Sequence, residues 1–234
     1  MQKRVRGLFL AVAAFCLFGF TLPANRLCRA GAPIYSPLPA PAASLDCSPR
    51  LYRRAKKSYL PYCALTRAVR YLKLHRVEFT NRRFLTIIDY TEPSTSRRLF
   101  LIDLASGDVK RLLVSHGKNS GRLYATRFSN RPESFETPRG FFLTGPEYFG
   151  PHGASLVLYG LQKGVNDNSL SRKIVMHGAY YVSSEAIELN RRLHGIARLG
   201  LSEGCPAIPM RAAEGVIDKI KDGSLLYMYS GTPR

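Results

Sequence analysis

The chain is poor in acid: 16 Asp and Glu face 35 Lys and Arg across 234 residues, a formal charge of +19. Its five cysteines include no Cys-x-x-Cys and its five histidines show no paired spacing, so no metal centre of the usual sequence type is written into it. Internal repeats are absent, as is any RNA- or DNA-binding signature, which removes nucleic acid as the partner behind the positive charge. Long hydrophobic runs are missing as well. The stretch Leu8 to Leu22 is about fifteen residues, short for a membrane-spanning helix and at the upper end for the apolar region of a secretory signal.

Lys3, Arg4 and Arg6 precede that stretch, so residues 1–32 read as a signal peptide, with an uncleaved N-terminal anchor as the competing reading. Export to the periplasm or cell envelope follows, and a membrane is a partner only if the signal is retained. Residues 33–50, rich in Pro and Ala, read as a linker, and residues 51–234 as one domain. A hydrophobic content of 45% is enough for one core. Beyond residue 32 the chain carries 30 Lys and Arg against 16 Asp and Glu, a formal charge of +14. Such a surface suits anionic cell-envelope polymers, or it is a solvated face that keeps the protein soluble.

Apolar residues at Leu65, Ala68, Val69 and Leu72 recur with helical spacing and predict one amphipathic helix between Leu60 and Leu74. The pattern then changes to short β-rich runs over 84–89, 99–104, 109–115, 140–144, 155–159, 173–177 and 224–229. Two more helices are predicted, over 184–193 and 210–222, the second stopped by Gly223. The fold class is therefore α+β, mainly β with a few helices.

Cys47 and Cys63 fit a disulfide, a crosslink worth roughly 3 kcal/mol in the chain-entropy model. With Cys16 and Cys28 inside the expected signal segment, that leaves Cys205 unpaired, inside Ser202-Glu203-Gly204-Cys205-Pro206. A thiol acts as a nucleophile only as thiolate, so it needs a base within reach and amide donors nearby. Gly204 leaves room beside the sulfur, and the helix after Pro209 offers a favourable dipole. The same tripeptide also fits a buried turn with an inert thiol. His177 is the preferred base, because it ends an apolar run and is followed by Gly178. No Asp or Glu stands where it would orient that ring, which leaves a backbone carbonyl or a hydroxyl, Ser202 being the nearest candidate. His116, Asn130, Gly178, Glu203 and Arg172 are the candidate substrate contacts. His152 and His194 read as surface or structural, and Tyr180 and Tyr181 as core packing.

Seven ordered segments carry a resemblance: 85–89, 98–104, Ser115-His116-Gly117-Lys118-Asn119-Ser120-Gly121, 125–130, 137–142, Ile174-Val175-Met176-His177-Gly178-Ala179 and Ser202-Glu203-Gly204-Cys205-Pro206-Ala207. In these the chain resembles the YkuD-type murein L,D-transpeptidases, the murein L,D-transpeptidase catalytic domain family. The resemblance implies a YkuD-like mixed β-sandwich with a catalytic Cys loop ahead of a helix, and no cofactor. It also implies acyl transfer, with Cys205 taking the acyl group of a peptidoglycan stem peptide and His177 as general base. Glu203 stands where the commoner family pattern has histidine, which bears on donor and acceptor choice. Two alternatives stay open: an L,D-carboxypeptidase or L,D-endopeptidase cutting the same bonds, and a non-catalytic wall-binding protein.

Overall fold

The computed structural model describes residues 49–231. In chain order these form α1 (Pro49–Lys57), α2 (Tyr62–Leu74), β1 (Phe84–Asp89), β2 (Leu99–Asp103), β3 (Val109–Leu112), β4 (Gly140–Gly150), β5 (Gly153–Gly160), β6 (Val175–Ala179), α3 (Ser184–His194), β7 (Ala207–Pro209), α4 (Met210–Ile220) and β8 (Leu225–Tyr229). All eight strands join one mixed sheet in the order β3-β2-β1-β8-β4-β5-β6-β7.

The centre of the sheet follows from sequence. β1 and β8 are almost continuously apolar and pair in parallel, Leu85 opposite Leu225 through Asp89 opposite Tyr229, as strands covered on both faces do. Alternate side chains then feed two cores. Leu85, Ile87, Phe100, Ile102 and Leu225 pack against Leu51 and Ala55 of α1 and Ala64, Leu65, Ala68 and Val69 of α2. On the opposite face Ile88, Leu99, Phe142, Leu156, Met176 and Leu226 pack against Ala213, Val216, Ile217 and Ile220 of α4. Each such aliphatic side chain contributes about 1.5–3 kcal/mol by leaving water.

The two ends of the sheet are stitched together by the chain that follows β3. Ser115 N–H donates to the Ala207 carbonyl at 2.8 Å, Ser202 N–H to His116 O at 3.0 Å, and Lys118 N–H to Ser202 O at 2.7 Å. The segment 115–118 thus lies against both β7 and the loop that carries Cys205. α3 is bounded as its sequence dictates. The Ser183 hydroxyl accepts from Ala186 N–H at its start, and Gly195, with φ +68, closes it in the left-handed region.

The expected α+β class is what the chain forms. Two elements escaped the sequence: α1, which begins inside the expected linker, and β7, three residues between prolines. The expected signal segment 1–32 lies outside the described residues, as does the linker up to residue 48. Cys63 is disulfide-bonded, while Cys47 lies outside the described residues. Among the described residues no helix is long and apolar enough to cross a membrane.

Candidate active site

β6 carries an alternating pattern in which Met176 enters the core and Val175 and His177 share the other face. Its parallel pairing with β7 sets His177 opposite Ala207. Cys205 lies two residues before Ala207 and comes up beside Val175, whose N–H points at Sγ from 3.5 Å. Register therefore brings the cysteine, in the loop that leads into β7, beside the strand that carries the histidine two residues after Val175. At rest the thiol proton is not on its way to the imidazole: Sγ donates to the Lys173 carbonyl at 3.6 Å. Lys173 has φ +55, a left-handed conformation that costs a non-glycine residue about 1 kcal/mol or more.

His177 is nearly buried, 3% exposed. Its Nδ1 is 2.9 Å from the Gly178 carbonyl, an acceptor only, so Nδ1 carries the proton and Nε2 keeps its lone pair. The orienting group is that carbonyl, one of the two kinds expected, and not the Ser202 hydroxyl. Burial holds the imidazole below its ordinary pKa; the Gly178 bond opposes this, and His152 adds to the depression. His152, in the turn between β4 and β5, stacks on the ring with centroids 4.3 Å apart. Sequence marked His152 as surface or structural; it is exposed, and only the hairpin register reveals its neighbour.

Ser202 shapes the cysteine loop. Its hydroxyl donates to the Cys205 carbonyl at 2.6 Å and accepts from Gly204 N–H at 3.2 Å. Gly204 sits at φ +123, and a Cβ there would stand 3.0 Å from Ile174 Cδ1 and 3.1 Å from the Glu136 carbonyl, so the position admits glycine alone. With Gly204 N–H committed to Ser202, the Cys205 N–H, like that of Glu203, has no acceptor among the described residues. Cys205 keeps part of its surface open, and burial pushes the thiol pKa up. The Val175 N–H and Arg172 pull the other way, and Glu203 raises it again. The resting pair is thus a neutral thiol beside a neutral imidazole.

Arg172 takes a different role from the expected substrate contact. Its guanidinium donates to the carbonyls of Ser129 and Glu136, at 2.5 and 2.6 Å, and to the Ser134 hydroxyl at 3.0 Å. The Nη2 atom also stands 3.5 Å from where a Gly204 side chain would begin. The fork is engaged by protein, and its charge faces the sulfur.

Three other candidates are likewise placed by the fold. His116 is fully buried, with Nδ1 accepting from Arg98 Nη2 at 2.7 Å and Nε2 toward the Gly121 carbonyl at 3.3 Å; no face is left for a substrate. Burial and then Arg98 hold its pKa down to about 3. Arg98, unremarked in the sequence, is fully buried, stacks on Tyr90 and also donates to the Val114 and Glu92 carbonyls. Gly178 lies under α4, where a Cβ would meet Ala213 Cβ and Met210 Sδ at 2.9 Å. Asn130 ties two loops through Asp167 and Asn168.

Glu203 remains on the surface, ion-paired with Lys118 at 2.9 Å, while that ammonium also lies over the Phe135 ring. Tyr180 is exposed, contrary to the expected core packing, whereas Tyr181 covers Gly200. A cavity of about 400 Å³ opens past the far end of β6, lined among others by Ala179, Pro209, Met210 and Arg97. Cys205 and His177 are not in its wall.

The sequence model of the L,D-transpeptidase catalytic domain family (YkuD_2) matches residues 56–229. No curated protein matches. Solved structures that resemble the chain include an L,D-transpeptidase from Mycobacterium smegmatis (14% identity, TM-score 0.37, covering 63% of this chain and 59% of that one). Another is an L,D-transpeptidase from Xylanimonas cellulosilytica (17%, 0.36, 62% and 60%). A third is the helical cell shape determining protein Pgp2 from Campylobacter jejuni (14%, 0.40, 66% and 49%). The chain thus spans three fifths or less of the length of these structures. Extent of the family match decides the assignment: this chain belongs to the L,D-transpeptidase catalytic domain family.

Proposed function

We propose that the protein is a cysteine L,D-transpeptidase acting on peptidoglycan stem peptides, exported to the cell envelope by its N-terminal segment. The observation that supports the reading is the approach of Cys205 Sγ to Val175 N–H on β6, the strand that carries His177 two residues on, with Nδ1 of that histidine already committed to Gly178. Rotation of the S–H away from Lys173 lets His177 Nε2 take the proton. The thiolate then adds to the stem-peptide carbonyl, and the oxyanion forms against the Cys205 N–H, a donor type worth about 3 kcal/mol in other enzymes. Collapse of the adduct breaks the peptide bond. The departing D-alanine amine receives the proton from His177, leaving a thioester on Cys205. An acceptor amine of a second stem, deprotonated by the same imidazole, attacks the thioester, forms the new amide and frees the thiol.

Arg172 steadies the thiolate and Ser202 keeps the loop that presents it. Purified protein incubated with tetrapeptide muropeptides, with and without an added acceptor stem, tests the reading. Crosslinked dimers by mass are expected, and Cys205→Ala should make none. Tripeptide trimming without dimers would assign hydrolysis instead, and binding without thiol labelling by a carbapenem would assign a silent wall binder.

A further inference from the structure

The positive charge of this protein is not spread over it. Residues 49–83 hold 11 Lys and Arg against one acid, Glu78, whereas residues 84–231 hold 18 against 14. The first group belongs to α1, α2 and the turns that follow them. The apolar stripes of both helices, Leu51 and Ala55 on one and Ala64, Leu65, Ala68 and Val69 on the other, enter a common core with β1, β2 and β8. The opposite sides of both helices therefore face away from the sheet as one surface.

Arg53, Lys56, Lys57, Arg67, Lys73 and Arg76 project from that layer, and none makes an ion pair or side-chain hydrogen bond with another described residue. Large apolar side chains stand among them. Tyr59 is 81% exposed, Tyr62 68% and Val77 91%, and Leu74 is half exposed. Cations alone would suit any polyanion. Cations interleaved with uncovered tyrosines and aliphatics suit a headgroup layer, where the charge meets phosphate and the rings sit at the apolar boundary. The same end of the chain leads back to the basic and apolar segment that ends at Leu22.

We propose that the outward face of α1 and α2 docks on the surface of an anionic phospholipid bilayer. This does not rest on the acyl-transfer reading. The sequence contains no tryptophan, so Tyr62→Trp in the full chain gives a single reporter on the face. Phosphatidylglycerol-containing vesicles should shift its emission to the blue. Phosphatidylcholine vesicles, which meet the same N-terminal apolar run, should not. About 0.5 M NaCl should reverse the shift, and the combined change Arg53→Glu, Lys56→Glu and Lys57→Glu should weaken binding about tenfold or more. Helix content by circular dichroism and the alkylation rate of Cys205 should be the same in that variant, which separates docking from folding and from the site. An equal shift on neutral vesicles overturns the proposal, since it would report the apolar run. No shift on anionic vesicles, with binding to soluble polyglutamate instead, also overturns it and gives the face to a polymer.

Discussion

Two histidines, each inside a family motif, sit in opposite surroundings. His116 has both ring nitrogens engaged, one receiving from Arg98 and one turned to the Gly121 carbonyl, in a core closed to solvent. His177 has one nitrogen engaged and one free, at the end of the sheet beside an unpaired thiol. Both are neutral, and both are held below the ordinary imidazole value by burial first. What separates the two rings is thus the count of uncommitted ring nitrogens, and neither burial nor charge reports it.

The sharpest way to break this contrast is substitution at both positions. His177→Gln should lower transpeptidation by about a thousandfold or more while the unfolding midpoint in urea stays near that of the unmodified protein. His116→Ala should do the reverse, costing roughly 3 kcal/mol in the same urea titration because a buried guanidinium loses its acceptor. A His116 variant that keeps its stability yet loses turnover would erase the distinction. Acid titration sharpens it. With His116 at about 3 in the folded chain against 6.5 as its ordinary value, the unfolded state binds the extra proton between those pH values. Stability from this group is therefore complete above about 6.5 and falls as pH drops toward 3, by at most about 1.4 kcal/mol per pH unit. His116→Gln should flatten that slope in pH-dependent thermal melts.

Smaller effects probe the edge. Arg172→Met should move the pH midpoint of iodoacetamide alkylation of Cys205 upward by about one unit, since a charge that favours the thiolate is gone. Arg172→Lys should recover part of that shift and none of the triple loop contact, which needs the planar fork. His152→Ala should raise the acid limb of kcat/KM by a few tenths of a unit, because it both uncovers His177 and removes a neighbour that disfavours its protonation.

Much of this was legible in sequence where periodicity was strong. β1 has the bounds that its apolar run gives, and α2 and α3 fall within two residues of theirs. Cys205 and His177 were singled out from local patterns, a Gly-Cys-Pro turn and a histidine expected to end a strand over 173–177; the strand in fact runs Val175–Ala179, with His177 at its middle. The misses share a cause. β7 is three residues long and exists because Ala207 pairs with both His177 and Ser115, so no local signal announces it. Ser202, Gly178 and Arg172 were read as separate side chains, whereas their roles come from main-chain partners brought in by distant elements. Arg98 was invisible because a lone arginine among 35 cations looks solvated until the sheet closes over it.

That the group orienting His177 is a peptide carbonyl has a consequence for redesign. Every amino acid at position 178 carries the same oxygen, so replacing a side chain there cannot unseat the imidazole by deleting its acceptor; it can only force α4 aside at Ala213 and Met210. A synthetic histidine methylated at Nδ1 would cut this tether while leaving Nε2 chemically intact. Ring aim, separated in this way from ring basicity, becomes a quantity that can be dialled on its own.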